Sequence, residues 1–239
     1  MKSLVKSIMV LCLFSLCLGQ TYVSELRQLN LEVGTTHTFE FYDAGEYVGY
    51  NQYIITKKEV YNDVDAYFID SVVDLKTDSL ALSMDASYIV NTQGVCLHYE
   101  FEATINGETQ TMTADFTTES VHITGSGLGK AYDQDVTITA NTLSLDNNMI
   151  CQWDIMFSAA VLQAGGSVGT NVFAAQPMKA TVIRGSISEE TITIQAAGRD
   201  WSCFKVEFSV PDGYLAYVTD SGQLVKMETP SGLVITLKE

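Results

Sequence analysis

The segment Val95-Cys96-Leu97-His98-Tyr99-Glu100-Phe101-Glu102-Ala103-Thr104-Ile105 alternates apolar and polar residues and runs directly into Asn106-Gly107. A period of two is the mark of a strand with one face buried and the other wet. Asn-Gly is the strongest two-residue hairpin signal, because both positions tolerate positive φ. Thr109 to Thr117 therefore pairs back on Val95 to Ile105, and the chain here is a β-hairpin.

Working outward, the same alternation recurs. It is clean in His37-Thr38-Phe39-Glu40-Phe41 and continues through Tyr47 to Tyr61, Ala66 to Leu75 and Ser83 to Val90. Further strands are expected at Ser120 to Thr124, Asp135 to Thr139, Val172 to Ala175, Lys179 to Arg184 and Thr191 to Gln195. In the last third, Phe204, Val206, Phe208 and Val210 alternate with Lys205, Glu207 and Ser209. Pro211-Asp212-Gly213, Asp220-Ser221-Gly222 and Pro230-Ser231-Gly232 then punctuate a meander.

One stretch changes period. Met149, Ile150, Trp153, Met156, Phe157, Ala160 and Val161 fall at helical spacing with a wide apolar face. The spacing predicts a helix near residues 148–164, with Asp146 or Asn147 capping its start and Gly165 closing its end. Such a face must be buried on something, and the sheet is the candidate. So many antiparallel strands cannot stay flat, since twist obliges them to curl, close or split into layers. The expected fold is all-β and mainly antiparallel: a long, strongly curved sheet or half-barrel of about a dozen strands wrapped around one helix. A two-layer sandwich is the alternative.

Composition agrees with a packed core. Of the 239 residues, 46% are hydrophobic, 18% are charged and three are prolines, which excludes disorder, collagen-like repeats and Pro-rich stalks. Lys and Arg total 13 against 29 Asp and Glu, for a net charge of −16. That field repels phosphate backbones and anionic lipid surfaces, and argues against nucleic acid as a partner.

Residues 1–19 have the form of a cleavable secretory signal peptide. Lys2 and Lys6 precede an apolar run, and Gly19 supplies the small residue at the end. The run is well short of the roughly 20 residues a spanning helix needs. Leu11 before Cys12 and Leu16 before Cys17 disfavour a lipoprotein signal, and no second hydrophobic span follows. The expectation is an exported protein, periplasmic or extracellular, with residues 20–239 forming a single domain. Cys96, Cys151 and Cys203 remain, an odd number without CxxC or CxH spacing, so no disulfide framework is expected and all three read as small buried apolar residues.

The chain as a whole resembles the periplasmic domain-of-unknown-function 3108 family, including its TapB-like branch. The resemblance rests on Leu31-Glu32-Val33-Gly34 leading into a Thr-rich strand and on the strand Tyr53-Ile54-Ile55-Thr56-Lys57-Lys58-Glu59-Val60. It continues through the helix followed by Gly165-Gly166, the Trp201-Ser202-Cys203-Phe204-Lys205-Val206 strand and the closing Leu233-Val234-Ile235-Thr236-Leu237. It implies a curved antiparallel sheet with a mid-chain helix, and a shape similar to half-barrel lipid carriers of the bacterial envelope. It brings no catalytic residues with it.

Short motifs add little chemistry. Gly165-Gly166-Ser167-Val168-Gly169 matches GxSxG, but a helix precedes it where a hydrolase elbow needs a strand. Gly125-Ser126-Gly127-Leu128-Gly129-Lys130 is one residue short of a phosphate loop, and Ala131 stands where Ser or Thr would bind magnesium. His37, His98 and His122 lie far apart without a zinc pattern. Asn62-Asp63-Val64-Asp65 and Asp133-Gln134-Asp135 lack the glycine and distal glutamate of a calcium loop. No cofactor and no metal site is expected. The expected function is non-enzymatic: an envelope protein that binds an apolar or lipid-like ligand or another envelope protein, or serves in assembly. Trp153, Met156 and Phe157 are the candidate ligand-binding residues, with core packing as their other role. The rival reading is a carboxylate-dependent hydrolase acting on an envelope polymer through acids on the outer sheet.

Overall fold

A computed structural model describes residues 25–127, 129–146 and 149–238. The expected signal peptide lies outside them. The first eight strands are β1 (Thr36–Asp43), β2 (Glu46–Tyr61), β3 (Val64–Lys76), β4 (Ala81–Asn91), β5 (Cys96–Ile105), β6 (Glu108–Phe116), β7 (Ser120–Gly127) and β8 (Lys130–Thr137). Next come β9 (Leu143–Leu145), the helix α1 (Ile150–Ala159), β10 (Ser167–Ala174) and β11 (Lys179–Ala196). The chain closes with β12 (Arg199–Val210), β13 (Asp212–Val218), β14 (Leu224–Glu228) and β15 (Val234–Lys238).

All fifteen strands belong to one sheet, in the order β8-β7-β6-β5-β4-β3-β2-β1-β15-β14-β13-β12-β11-β10-β9. The chain therefore starts in the middle of the sheet and walks outward by hairpins to one edge at β8. It then crosses to the opposite edge at β9 and walks back until β15 pairs with β1. Two-residue turns drive the walk. Asn106 and Gly107 sit at φ 51° and 87°, and Asn62 and Asp63 at 49° and 64°, the mirror-image turn geometry that matches strand twist. The latter pair is thus a hairpin tip between β2 and β3.

The curl brings the two edges face to face without a hydrogen-bonded ladder between them. Residues 138–142 link one edge to the other. Phe116 on β6 meets Phe173 on β10 edge to face at 5.6 Å, and Gln134 Nε2 donates to Met178 Sδ at 3.5 Å across the seam. The hollow so formed holds α1, nine of whose ten residues are buried. A helix buried on nearly every side is one that is enclosed, and here the enclosure is the sheet.

The expected curved antiparallel sheet around one helix is what forms, with three differences. The helix is ten residues long, Ile150–Ala159, and not the seventeen of 148–164. Met149, not Asp146, is the N-cap and makes no side-chain bond, Asn147 lies outside the described residues, and Gly165 lies in a later turn. The apolar rhythm does run on to Val161, but Ala160 turns extended, at φ −76° and ψ 143°, to bridge Leu26, while Val161 N–H donates to Glu25 O at 3.2 Å. The second difference is β9, a strand not expected from the sequence, which pairs parallel with β10 through α1 in an otherwise antiparallel sheet. The chain leaves one edge strand, passes through the hollow and returns to the same edge, so the two strands must point the same way. Third, Lys179 to Arg184 and Thr191 to Gln195 form one strand, β11, interrupted by a register shift between Ile187 and Thr191.

Candidate functional site

The inner faces of β4 to β8 build a wall of two cross-strand rungs. The deeper rung is Ala86, Phe101, Met112, Gly125 and Tyr132, each directly opposite the next. The rung nearer the rim runs Met84, Ala103 and Gln110, then Gly127 opposite Lys130. Glycine at 125 is forced by close approach: a Cβ there would collide with Thr111 O and the Tyr132 ring. Tyr132 instead lies over that gap, with its hydroxyl donating to Thr111 O. The aromatic thereby restores apolar surface the glycine lacks.

Across the seam, Asp146, Ala175, Gln176 and Met178 face this wall, and the space between is a cavity of about 520 Å³. That size falls within the range of small-molecule sites. Leu82, Met84, Phe101, Ala103, Ile105, Met112 and Met178 make its lining mostly apolar, and three methionines let it adapt to a ligand. Gln110, Lys130, Asp146 and Gln176 supply the polar groups. Asp146 is buried and accepts from Tyr99 Oη and Gln176 Nε2, both at 3.4 Å.

Trp153, Met156 and Phe157 are elsewhere. All three are buried within α1, and none lines this cavity. Trp153 stacks on Tyr214 at 5.6 Å and meets Phe208 edge-on at 5.4 Å, and Phe157 lies 6.1 Å from Phe208. Their side chains are packed among the core aromatics, and the cavity opens at the seam.

The same helix carries buried polar groups tied to the sheet. Asn51 on β2 accepts the Cys151 N–H at 2.9 Å and donates to Ser71 Oγ at 2.7 Å and Val72 O at 2.9 Å. A strand side chain thus caps the helix start, 100 residues away in sequence. At the other end Arg27 donates through Nε to Ser158 O at 2.7 Å and through its guanidinium to Ser221 O. A cation at a helix C-terminus also suits the macrodipole. Asp154 accepts from Tyr53 Oη at 2.6 Å and Leu224 N at 2.9 Å, with Gln223 Nε2 at 3.2 Å and His37 Nδ1 at 4.0 Å. Burial pushes its carboxyl above the usual range, against the pull of His37, Tyr53, the Leu224 amide and Gln223.

The outer face is chemically different. A groove of about 670 Å³ over β2 to β6 gathers Asp70, Asp85, Glu100 and Glu102 with Gln52, Ser87, Thr111 and Thr113. Beside it, His98 lies 2.7 Å from Asp115 and His122 lies 3.0 Å from Asp135, forming a cross-strand ladder of alternating His and Asp. Among the described residues no group of three or more His, Cys, Asp or Glu is placed to hold a metal ion. Ser167, the serine of the GxSxG match, opens β10 on an exposed position after a Gly165-Gly166 turn and is not on a nucleophile elbow.

The cavity residues Met84, Met112, Lys130, Tyr132 and Met178 were not singled out by the sequence. Their apolar members belong to ordinary strand alternation, and Lys130 ends a glycine-rich stretch that reads as a loop.

Fold and cavity together define a β-barrel-like, incompletely closed sheet that carries an internal helix and a mostly apolar pocket at its seam. Residues 47–238 match the profile of the family described as "Protein of unknown function (DUF3108)", and the chain belongs to that family. None of the curated proteins matches the sequence significantly. Among solved structures, the chain is similar to a beta-barrel-like protein of domain of unknown function DUF1849 from Brucella abortus. The identity is 9%, 87% of this chain and 97% of that one are covered, and the TM-score is 0.48. It is also similar to a DUF1089 family protein from Pseudomonas aeruginosa, at 9% identity, 74% and 88% coverage and a TM-score of 0.43. Among the described residues no helix is long and apolar enough to cross a membrane.

Proposed function

We propose that the protein is an exported, non-enzymatic envelope protein that binds an apolar ligand in the seam cavity. The carrying observation is the cavity itself: mostly apolar side chains from two ends of one sheet surround about 520 Å³, with a few polar groups among them. Export rests on the form of residues 1–19. The binding test is uptake of the uncharged fluorescent probe N-phenyl-naphthylamine. Wild type takes up the probe, and Ala103→Phe, which pushes a ring into the cavity from its rim rung, loses it while the fold persists by circular dichroism. Equal uptake by both proteins removes the cavity from the explanation. N-terminal sequencing of the exported chain checks the leader, with Gln20 expected first.

The outer groove favours a second reading, a carboxylate-dependent hydrolase. Asp85 and Glu102 are direct cross-strand partners lining that groove, so two carboxylates share one face, as a paired-carboxylate mechanism requires. Turnover of an envelope glycan that Asp85→Asn abolishes would establish it in place of the binding reading.

A further inference from the structure

We propose, resting on the seam-cavity reading, that the ligand is an amphiphile with an anionic head, held at the rim by Lys130 while its tail lies over Met84, Met112 and Phe101. The first observation is position. Lys130 opens β8 opposite Gly127, on the rung nearer the rim, and lines the cavity. Tyr132 and Met112 occupy the next rung, about 6.6–6.8 Å deeper along the strands. A head at Lys130 therefore places the first carbons of a tail against apolar surface.

The second observation is that Lys130 is unspent. Lys57, Lys205, Lys226 and Lys238 each pair with a glutamate. Lys58 lies over the Tyr67 ring, Arg199 over Trp201, and Arg27 on the carbonyls near the helix end. Lys130 has no side-chain ion-pair or hydrogen-bond partner among the described residues, a state it shares with Lys76, Lys179 and Arg184, and of these four it is the one that lines the cavity. In a chain of net charge −16, an unpaired cation at the lip of an apolar cavity marks where a negative group is tolerated.

The third observation is the opposite polar group. Asp146 lines the cavity from the other side of the seam, but Tyr99 and Gln176 already donate to its carboxylate. A cationic head would have to compete for it, whereas an anionic head at Lys130 finds a free donor. The long methylene stem of Lys130 lets the ammonium follow the head at the rim while covering apolar surface.

The experiment is displacement of N-phenyl-naphthylamine by laurate, lauryl alcohol and lauryl amine, all below their micelle concentrations, at neutral pH and low salt. Laurate is expected to displace the probe about three- to tenfold more tightly than the alcohol, the scale of one partly exposed charge-assisted contact. Lys130→Gln should erase that difference, Lys130→Arg should keep it, and added salt should shrink it. Lys130 is exposed, so neither variant threatens the fold. If laurate and alcohol bind alike in wild type, or the amine binds tightest, the anionic head is overturned while the apolar cavity stands. If none of the three displaces the probe and Ala103→Phe leaves uptake unchanged, the cavity reading itself has failed.

Discussion

Asn51, on β2, and Cys151, in the first turn of α1, are joined by a 2.9 Å hydrogen bond from the Cys151 N–H to the Asn51 side-chain oxygen. Asn51 is fully buried, and its amide nitrogen is spent on Ser71 and Val72. One side chain thus fixes both the start of the helix and its seat on the sheet.

Replacing that side chain removes a cap and strands its partners. Asn51→Ala leaves the Cys151 N–H without its acceptor in the interior and removes the bonds to Ser71 Oγ and Val72 O, for an expected loss of about 2–4 kcal/mol. Asn51→Asp keeps the acceptor for Cys151 but loses both donated bonds and buries a charge, so it also destabilises. Urea unfolding midpoints check both. A loss for Asn51→Ala within experimental error of zero would mean the helix seat is held elsewhere.

Asp154 makes stability depend on pH. Its carboxyl is raised in the folded state, so the fold holds that proton more tightly than the unfolded chain does. The resulting contribution is complete below the unfolded value of about 3.9 and is lost as pH rises through the raised folded value. Asp154→Asn cannot ionise, and its side-chain oxygen still accepts from the Leu224 N–H. The variant should therefore lose less stability than wild type between acid and neutral pH. Parallel pH profiles of the two proteins, measured by denaturant unfolding, would refute this.

Phe157 is packed within the core and lies outside the seam cavity. Phe157→Ala should cost about 3–5 kcal/mol through lost burial and an unfilled space. Its uptake of N-phenyl-naphthylamine, measured where the variant is still folded, should match wild type. Weakened uptake with little loss of stability would move the binding site to the helix.

The three described cysteines are free and buried. Burial pushes the Cys151 thiol up to about 12 and the Cys203 thiol to about 11, and raises Cys96 as well. Thiolate is the reactive form, so Ellman's reagent should react slowly with native protein. It should titrate all three thiols once the leader-free chain is denatured without reductant. A smaller number would reveal a disulfide.

Much of the sheet is legible because its strands are half-buried, and half-burial writes a period of two into the sequence. β5 and β6 with Asn106-Gly107 between them are the clearest case. β9 escapes because Leu143, Ser144 and Leu145 are all buried, which leaves nothing to alternate. The helix is legible in its middle and not at its ends, since its partners there are Asn51 and Arg27, both distant in sequence. Trp153, Met156 and Phe157 stand out as an apolar helical face, but that pattern is the same for a packed core and an open pocket. The cavity joins β4 to β8 with residues 175–178 only because the sheet curls, and curvature leaves no local mark on Met84, Lys130 or Met178.

The strand order also sets when the molecule can be finished. β1 is flanked by β2, its immediate successor, and by β15, with Thr38 opposite Lys238. As the chain emerges in synthesis, β1 to β8 can form by local hairpins, yet one side of β1 stays an open edge with unpaired backbone until β15, about two hundred residues later, has appeared. An open edge is a template for wrong pairing, and loop closure over so long a span is slow. The ladder at the centre of the sheet therefore closes after the hairpins on either side of it, and that edge of β1 is covered only once β15 is in place.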